Sequence, residues 1–179
     1  MTAEHLGGHQ GVTHIDEGTL RWLIERYKIT SMLDVGAGPG GMTQVARSMG
    51  LTATSLDGDP SVEPDILHDY AEGPYVADPV DLIWCVEFLE HVDEEYLPNY
   101  METFKSAKFV FCTASTDPNG YHHVNCQPLP YWWEKFEEIG FEYLEAESEA
   151  IRSSITTMNL DRPYKKQFVK HTGQLYVRT

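Results

Sequence analysis

The sequence predicts an α/β fold with a mostly parallel, doubly wound sheet whose C-terminal edge is antiparallel. Short apolar segments alternate with segments of helical periodicity between residues 16 and 140, and strands that alternate with helices pair in parallel, with helices on both faces of the sheet. Residues 80–86 (VDLIWCV) are apolar almost throughout, which is typical of a strand buried on both faces. A glycine-rich turn joins the first apolar segment to a helix.

The elements follow in order along the chain. Asp16 is a suitable N-cap for a first helix, which carries Leu20, Leu23 and Ile24 on one face. Apolar segments predict strands over residues 31–35, 51–56, 65–68, 80–86, 108–113, 141–147 and 175–178. Helical spacing predicts helices over residues 17–28, 41–49, 94–105 and 130–139, and residues 153–171 have no assignment.

Length and composition indicate one domain that spans residues 1–179. Hydrophobic residues make up 41% of the chain, and no Pro/Ser/Gly-rich linker divides it. Residues 1–15 form a Gly/His-rich arm before the first helix. No apolar run approaches the roughly 18 residues of a membrane helix, and the N-terminus lacks the apolar core of a signal peptide. We therefore expect a cytoplasmic protein without a membrane partner.

The charge of the chain is acidic and uneven. Lys and Arg number 13 against 28 Asp and Glu, a net charge of −15, which opposes binding to a nucleic-acid backbone. Residues 152–179 form a basic region, with six Lys or Arg against one Asp. We interpret this region as a solvated surface. The alternative is a patch that meets an anionic acceptor or an acidic partner.

The turn after the first strand has the chemistry of a nucleoside site. Residues 34–41 read Asp-Val-Gly-Ala-Gly-Pro-Gly-Gly, so the backbone can turn sharply and a ligand can lie against it. Asp57 comes 19 residues after Gly38, at the end of the second strand, where a carboxylate can accept both hydroxyls of a ribose. The spacing of Gly36, Gly38 and Gly41 also fits the G-x-G-x-x-G pattern of dinucleotide sites, which leaves a nicotinamide-dependent oxidoreductase as an alternative.

The wider motif set resembles class I S-adenosylmethionine-dependent methyltransferases of the small, single-domain type. The resemblance covers residues 31–145 and includes the glycine-rich turn, the sequence DGDP at residues 57–60 and the sequence EFLEHV at residues 87–92. It implies a Rossmann-like fold, S-adenosylmethionine (SAM) as cofactor, and methyl transfer to an oxygen or nitrogen atom. The cofactor-binding residues that it implies are Asp34, Gly36, Ala37, Gly38, Gly40, Asp57, Gly58, Asp69, Tyr70, Cys85, Val86 and Glu87.

Titratable side chains collect at the predicted mouth of the site. Glu87, Glu90 and His91 are spaced i, i+3, i+4 and share one face if a helical turn follows the fourth strand. His122 and His123 follow the fifth strand. Methyl transfer needs a base only when the acceptor is protonated. The candidate catalytic bases or acceptor clamps are Glu87, His91, His122 and His123.

The same cluster resembles the divalent-metal site of small-RNA 2′-O-methyltransferases and of ubiquinone-pathway O-methyltransferases. This resemblance implies Mg²⁺ or Mn²⁺ bound by Glu87, Glu90, His91 and one of His122 or His123. Two nearby carboxylates repel each other, but His91 and the N–H groups of a helix start can offset that repulsion without a metal. We therefore expect a metal-free site.

No motif specifies the methyl acceptor. We expect a small molecule, a sugar or a protein side chain, contacted by the arm, by the loop that contains His122 and His123, and by the basic region. Trp133 lies off the core-facing side of its helix, so it either lines an acceptor pocket or packs against the protein. The arm is either a tail or a lid over the cofactor. A catalytically silent, cofactor-binding partner subunit is a further alternative.

Overall fold

A computed structural model describes residues 4–6, 8–158 and 167–179 of the chain. Arg162, Lys165 and Lys166 of the predicted basic region lie outside the described residues. The helices are α1 (Glu17–Tyr27), α2 (Gly41–Ser48), α3 (Leu97–Phe104), α4 (Leu129–Glu138), α5 (Glu145–Ala150) and α6 (Phe168–Thr172). The strands are β1 (Ser31–Val35), β2 (Thr52–Asp57), β3 (Ile66–Leu67), β4 (Val80–Cys85), β5 (Ala107–Cys112), β6 (Phe141–Tyr143) and β7 (Gln174–Arg178). Within these residues, no helix is long and apolar enough to cross a membrane.

The strands form one seven-stranded sheet in the order β3-β2-β1-β4-β5-β7-β6. Strands β1 to β5 pair in parallel, and β7 runs antiparallel between β5 and β6. The chain moves outward from β1 to β3 and then returns to add β4 beside β1, so the strand order reverses there. The predicted fold class is confirmed, and a ligand cleft is expected at the carboxyl ends of β1 and β4.

Both faces of the sheet are buried, as the apolar run in β4 predicts. Ile83 and Cys85 belong to one core, together with α3 and α4. Leu82 and Trp84 belong to the other core, together with α1 and α2. This division follows from the alternation of side chains along a strand. The buried helix residues are Tyr100, Phe104, Trp132 and Phe136 in the first core and Leu20, Leu23, Met42 and Ala46 in the second.

Helix α1 begins where the sequence predicts it. The Asp16 carboxylate accepts hydrogen bonds from the N–H of Thr19 (3.1 Å) and from its hydroxyl (2.7 Å), which satisfies donors that a helix start leaves free. Leu20 and Leu23, on the predicted face, are fully buried. Helix α1 therefore covers the sheet with the side that the sequence assigns to the core.

Two elements differ from the sequence-based prediction. The strand predicted over residues 141–147 ends at Tyr143, and α5 begins at Glu145, because the Glu and Ala residues of this segment favour helix over strand. The helix predicted over residues 94–105 opens with the 3₁₀ turn Glu94–Tyr96, and α3 starts at Leu97 with Pro98 in its first turn.

Candidate active site

The carboxyl ends of the parallel strands meet at one edge of the sheet, and the glycine-rich turn lies over that edge. The N–H groups of Gly36 and Ala37 donate to the carbonyl of Leu56 in β2, at 2.9 and 3.2 Å. Gly36 has a φ angle of 72°, which side chains disfavour, and a Cβ atom there would lie 2.5 Å from the ring of Phe88. Glycine is therefore required at this position by backbone conformation and by close packing.

Buried aspartates near the turn are hydrogen-bonded within the chain. Asp34 accepts from the Thr43 hydroxyl (2.8 Å), and burial raises its pKa to about 7. Asp57 accepts from the N–H groups of Gly38 (2.7 Å) and Asp59 (2.9 Å). Burial raises the pKa of Asp57, and these two hydrogen bonds oppose the rise. Asp57 thus fixes the glycine-rich turn, and each of its oxygens can accept a further hydrogen bond.

The N-terminal arm lies across the glycine-rich turn. His5 Nε2 is 2.8 Å from Asp69 Oδ2, and His9 Nε2 is 3.1 Å from Asp59 Oδ2. The His9 side chain also covers Gly38, where an added Cβ atom would lie 2.9 Å from His9 Cβ. The described part of the arm is therefore packed against the turn, and its action as a lid over the cofactor stays a prediction.

The arm divides the cleft into two cavities, which share the lining residues Gly8, His9, Gly36, Glu87 and His91. The first cavity, at the ends of β2 and β3, includes the predicted cofactor residues Asp57, Gly58, Asp69 and Tyr70. The second and larger cavity, at the ends of β1 and β4, includes Asp34, Ala37, Gly38 and Val86. Two predicted cofactor residues line neither cavity: Gly40 caps α2, and Cys85 is fully buried in the core.

The second cavity opens between the arm, the loop after β5 and α6. Its outer wall includes Asp117, Tyr121, His123, Phe168 and His171. Trp133 lines neither cavity, because its ring stacks on Tyr143 with a centroid distance of 4.8 Å. Of the two alternatives for Trp133, the structure therefore shows packing against the protein.

Glu87 lies between the two cavities in a left-handed backbone conformation. Its φ angle is 56°, and it precedes the single 3₁₀ turn Leu89–His91, so the predicted helical face from residue 87 to residue 91 does not form. The N–H of Glu87 donates to Thr113 Oγ1 (2.8 Å), and Thr113 Oγ1 donates to Glu87 Oε1 (2.9 Å). Sequence reasoning missed Thr113, which is 26 residues away.

The Glu90 side chain is fully buried beside that of Glu87. Burial raises the pKa of both carboxyl groups, and the charge of Glu90 raises that of Glu87 further. The backbone of Glu90 itself and that of Ser115 lie close enough to oppose the rise for Glu90. Neither Glu90 oxygen, however, has a hydrogen-bond partner of ordinary geometry. Backbone donors therefore offset the buried charge only in part.

His91 and His123 form a three-residue cluster with Glu90. One ligand atom of each residue lies within 4.8 Å of the others. His91 Nδ1 is buried without a partner, and burial followed by the charge of His123 lowers the pKa of His91 to about 4. His123 Nδ1 is 2.5 Å from the carbonyl oxygen of Asp117. A carbonyl only accepts, so Nδ1 carries the proton and Nε2 keeps its lone pair. One carboxylate and two imidazoles are a donor set that fits a divalent cation.

His122 does not join this cluster. Its φ angle of 49° turns the backbone between the two consecutive histidines, and its ring lies 6.5 Å from that of His5 in the arm. The N–H groups of Val124 and Asn125 donate to the carbonyl of Glu90, at 2.9 and 3.0 Å, and fix this loop against the turn after β4. The structure thus distinguishes the two histidines that the sequence left as alternatives.

Comparison with known proteins identifies the family. The model of a family described as a methyltransferase domain matches residues 9–149, which is most of the chain. The chain belongs to the methyltransferase domain family. No curated protein sequence matches it. The matched residues include residues 9–15 of the arm, the glycine-rich turn and both histidines of the loop after β5, so most of the residues that line the cleft lie within the match.

Solved methyltransferase structures share the fold of this methyltransferase domain. A TehB-like SAM-dependent methyltransferase from Corynebacterium glutamicum superposes with a TM-score of 0.64 at 16% identity, over 90% of this chain and 88% of that one. The magnesium protoporphyrin IX methyltransferase from Synechocystis, with bound S-adenosylhomocysteine, gives 0.59 at 13% identity over 91% and 81%. A putative methyltransferase from Haloferax volcanii, in complex with the activator Trm112, gives 0.56 at 15% identity over 90% and 88%. The resemblance to class I SAM-dependent methyltransferases is confirmed.

Proposed function

We propose that this methyltransferase domain binds SAM across the two cavities and transfers its methyl group to an oxygen or nitrogen atom of an acceptor in the second. The observation that carries the proposal is the cleft itself. One cleft at the strand ends is lined by the glycine-rich turn, by Asp57 and by the titratable residues Glu87 and His91, and the arm divides this cleft in two. Ligands of doubly wound sheets bind in this position.

The first cavity suits the adenosine part of the cofactor. Asp57 is assigned to the ribose hydroxyls, since a carboxylate can accept two hydrogen bonds from a diol. Asp69 is assigned to the adenine amino group, although its oxygens already meet His5 and the N–H of Ala71, each at 2.8 Å. The methionine part then follows the glycine-rich turn into the second cavity, and the sulfonium lies near Glu87.

The reaction needs alignment and one proton transfer. The acceptor atom attacks the methyl carbon while the carbon–sulfur bond breaks, which leaves S-adenosylhomocysteine, and the acceptor loses a proton. Glu87 and His91 line both cavities, so they are the candidate bases nearest the reacting atoms. His123 lines the second cavity alone, and His122 lines neither. Glu90, His91 and His123 could hold a divalent cation, which would supply Lewis acidity to acceptor oxygens.

His91 is suited to lie beside the cofactor because it carries no charge at neutral pH. Because its pKa is lowered to about 4, its imidazole is neutral at pH 7 and does not repel the sulfonium. The acceptor is a small molecule, a sugar or a protein side chain that enters between the arm and α6.

Calorimetric titration with SAM, S-adenosylhomocysteine and NAD⁺ tests the cofactor assignment. We expect micromolar affinity for the first two, about −8 kcal/mol, and none for NAD⁺. Binding of NAD⁺ without binding of SAM contradicts the proposal and favours the oxidoreductase. Formation of S-adenosylhomocysteine with a panel of hydroxyl and amine acceptors then separates an active enzyme from a silent partner subunit.

A further inference from the structure

The fold places the two carboxylates of the mouth in different surroundings, and it does the same with the two histidines of the loop after β5. The sequence resemblance assigns Glu87 and Glu90 together to a metal and leaves the choice between His122 and His123 open. In the structure, Glu90, His91 and His123 bring their ligand atoms within 4.8 Å of one another, and Glu87 and His122 lie outside this group.

Glu90 supplies independent support for a ligand at this point. Its side chain has no exposed surface, and among the described residues neither carboxylate oxygen has a hydrogen-bond partner of ordinary geometry, with the Glu87 carboxyl group lying beside it. Buried carboxyl groups in folded proteins are ordinarily hydrogen-bonded, paired or bound to a metal. Among the described residues of the cleft, Asp34, Asp57 and Asp59 follow this rule through hydrogen bonds. A cation bound to the Glu90 carboxylate would satisfy its oxygens, as hydrogen bonds do for these aspartates.

Both imidazoles can offer a lone pair to that cation. The carbonyl of Asp117 fixes the proton of His123 on Nδ1, which leaves Nε2 as a ligand atom. A backbone carbonyl behind the second nitrogen is the usual arrangement for a metal-binding histidine. His91 has one ring nitrogen in the group of ligand atoms, and its Nδ1 has no hydrogen-bond partner among the described residues.

Glu87 is held by hydrogen bonds with Thr113. Its N–H donates to the Thr113 hydroxyl, and that hydroxyl donates to its Oε1. The clamp fixes a residue whose φ angle of 56° is already unfavourable. The Glu87 carboxyl group lies beside that of Glu90, but it is not in the group of ligand atoms formed with the two histidines. His122 is similarly directed toward His5 in the arm.

We propose that Glu90, His91 and His123 form a divalent metal site with one carboxylate and two imidazole ligands, and that Glu87 and His122 are not ligands. This proposal departs from the expectation of a metal-free site. Two imidazoles favour first-row transition ions such as Mn²⁺, Co²⁺ or Zn²⁺ over Mg²⁺, which prefers oxygen ligands. The role of the metal in catalysis rests on the proposed function, whereas metal binding does not.

Titration of the full chain with Mn²⁺, followed by the electron paramagnetic resonance signal of free Mn²⁺, tests the ligand set. We expect one Mn²⁺ per chain and no displacement by a Mg²⁺ excess of about 100-fold. Glu90→Gln and His123→Asn should weaken binding by more than about 100-fold, beyond the 10–100-fold typical of outer-shell changes. Glu87→Gln and His122→Asn make the same chemical changes at neighbouring positions and should weaken it by less than about 10-fold.

Absence of Mn²⁺ binding at millimolar concentration overturns the site, and so do equal losses within either matched pair of variants. Circular dichroism and thermal unfolding of the same five proteins report whether each is folded, and calorimetry measures SAM binding of the wild type separately. If Glu90→Gln does not fold, the His123→Asn and His122→Asn pair decides. Wild-type protein that binds SAM without Mn²⁺ contradicts the metal site and leaves the methyltransferase proposal standing. Wild-type protein that binds Mn²⁺ without SAM contradicts the methyltransferase proposal and leaves the metal site standing.

Discussion

The two ends of the cleft differ in how their buried carboxyl groups are hydrogen-bonded. At the glycine-rich end, Asp34, Asp57 and Asp59 are buried, and each accepts hydrogen bonds from backbone or hydroxyl groups. At the mouth, Glu90 is equally buried, but among the described residues neither its oxygens nor His91 Nδ1 has a hydrogen-bond partner of ordinary geometry. Unpartnered buried polar groups are costly. The glycine-rich end is therefore complete within the chain, whereas the mouth keeps buried polar atoms that a bound group could satisfy.

Asp57→Ala tests the complete end and has the largest expected effect. The variant loses the acceptor that holds the Gly38 N–H at 2.7 Å and the carboxylate proposed for the ribose. Charge-assisted hydrogen bonds contribute about 1.5–3 kcal/mol each, so SAM affinity should fall by about 3 kcal/mol, or roughly 150-fold. Calorimetry measures the loss, and Asp57→Asn, which keeps one acceptor oxygen, should lose less. A folded Asp57→Ala protein with affinity within twofold of wild type would show that Asp57 does not bind the cofactor.

Glu90→Met tests the incomplete end and should change stability in the opposite direction from an ordinary core substitution. Methionine has a similar length and no polar atom to leave unpartnered. Removal of an unsatisfied buried group should raise the free energy of unfolding of the metal-free protein by about 1–3 kcal/mol. Urea unfolding in EDTA measures this change. Asp57→Leu, the matched change at the satisfied end, should lower the same quantity. A Glu90→Met protein less stable than wild type would contradict the contrast between the two ends.

The glycine-rich end could be predicted from the sequence because its parts are local. The strand predicted over residues 31–35 is observed as Ser31–Val35, and the turn and Asp57 follow at fixed spacings. Parallel pairing of β1 and β2 then brings the two strand ends together. The C-terminal part was harder, since residues 141–147 carry both an apolar start and strong helix formers, and the boundary between strand and helix depends on packing.

The mouth was less predictable because two left-handed residues shape it. Glu87 and His122 have φ angles of 56° and 49°, and neither is glycine, the residue that most clearly signals this conformation in a sequence. The first angle accompanies the contact with Thr113, and the second decides which histidine faces Glu90. Motif spacing shows which residue types are present at the mouth, but these backbone angles cannot be predicted from it.

Asp34→Asn tests whether burial of a hydrogen-bonded carboxyl group at the glycine-rich end still lowers the free energy of unfolding when the group is ionised. Burial raises the pKa of Asp34 from 3.8 to about 7, so the folded protein keeps a proton that the unfolded chain loses near pH 4. Stability should therefore fall as pH rises, by about 1.4 kcal/mol between pH 6 and pH 8. Asparagine keeps an acceptor for the Thr43 hydroxyl and has no charge. Urea unfolding at both pH values should show a loss that is smaller in the variant by the same amount, about 1.4 kcal/mol, and equal losses in the two proteins would be evidence against this pKa.

His5→Ala and His9→Ala have the smallest expected effects and ask whether the arm belongs to the complete end of the cleft. The side chains of His5 and Asp69 are 38% and 20% exposed, so solvent screens their contact and His5→Ala should cost about 0.5 kcal/mol of SAM affinity, or two- to threefold. His9 and Asp59 are more buried, at 15% and 3%, and we expect about fivefold for His9→Ala. If the arm is a lid, these losses arise from faster dissociation of the cofactor and not from slower association. Stopped-flow measurement of both rates separates the two, and dissociation at the wild-type rate in both variants would show that the arm does not close over the cofactor.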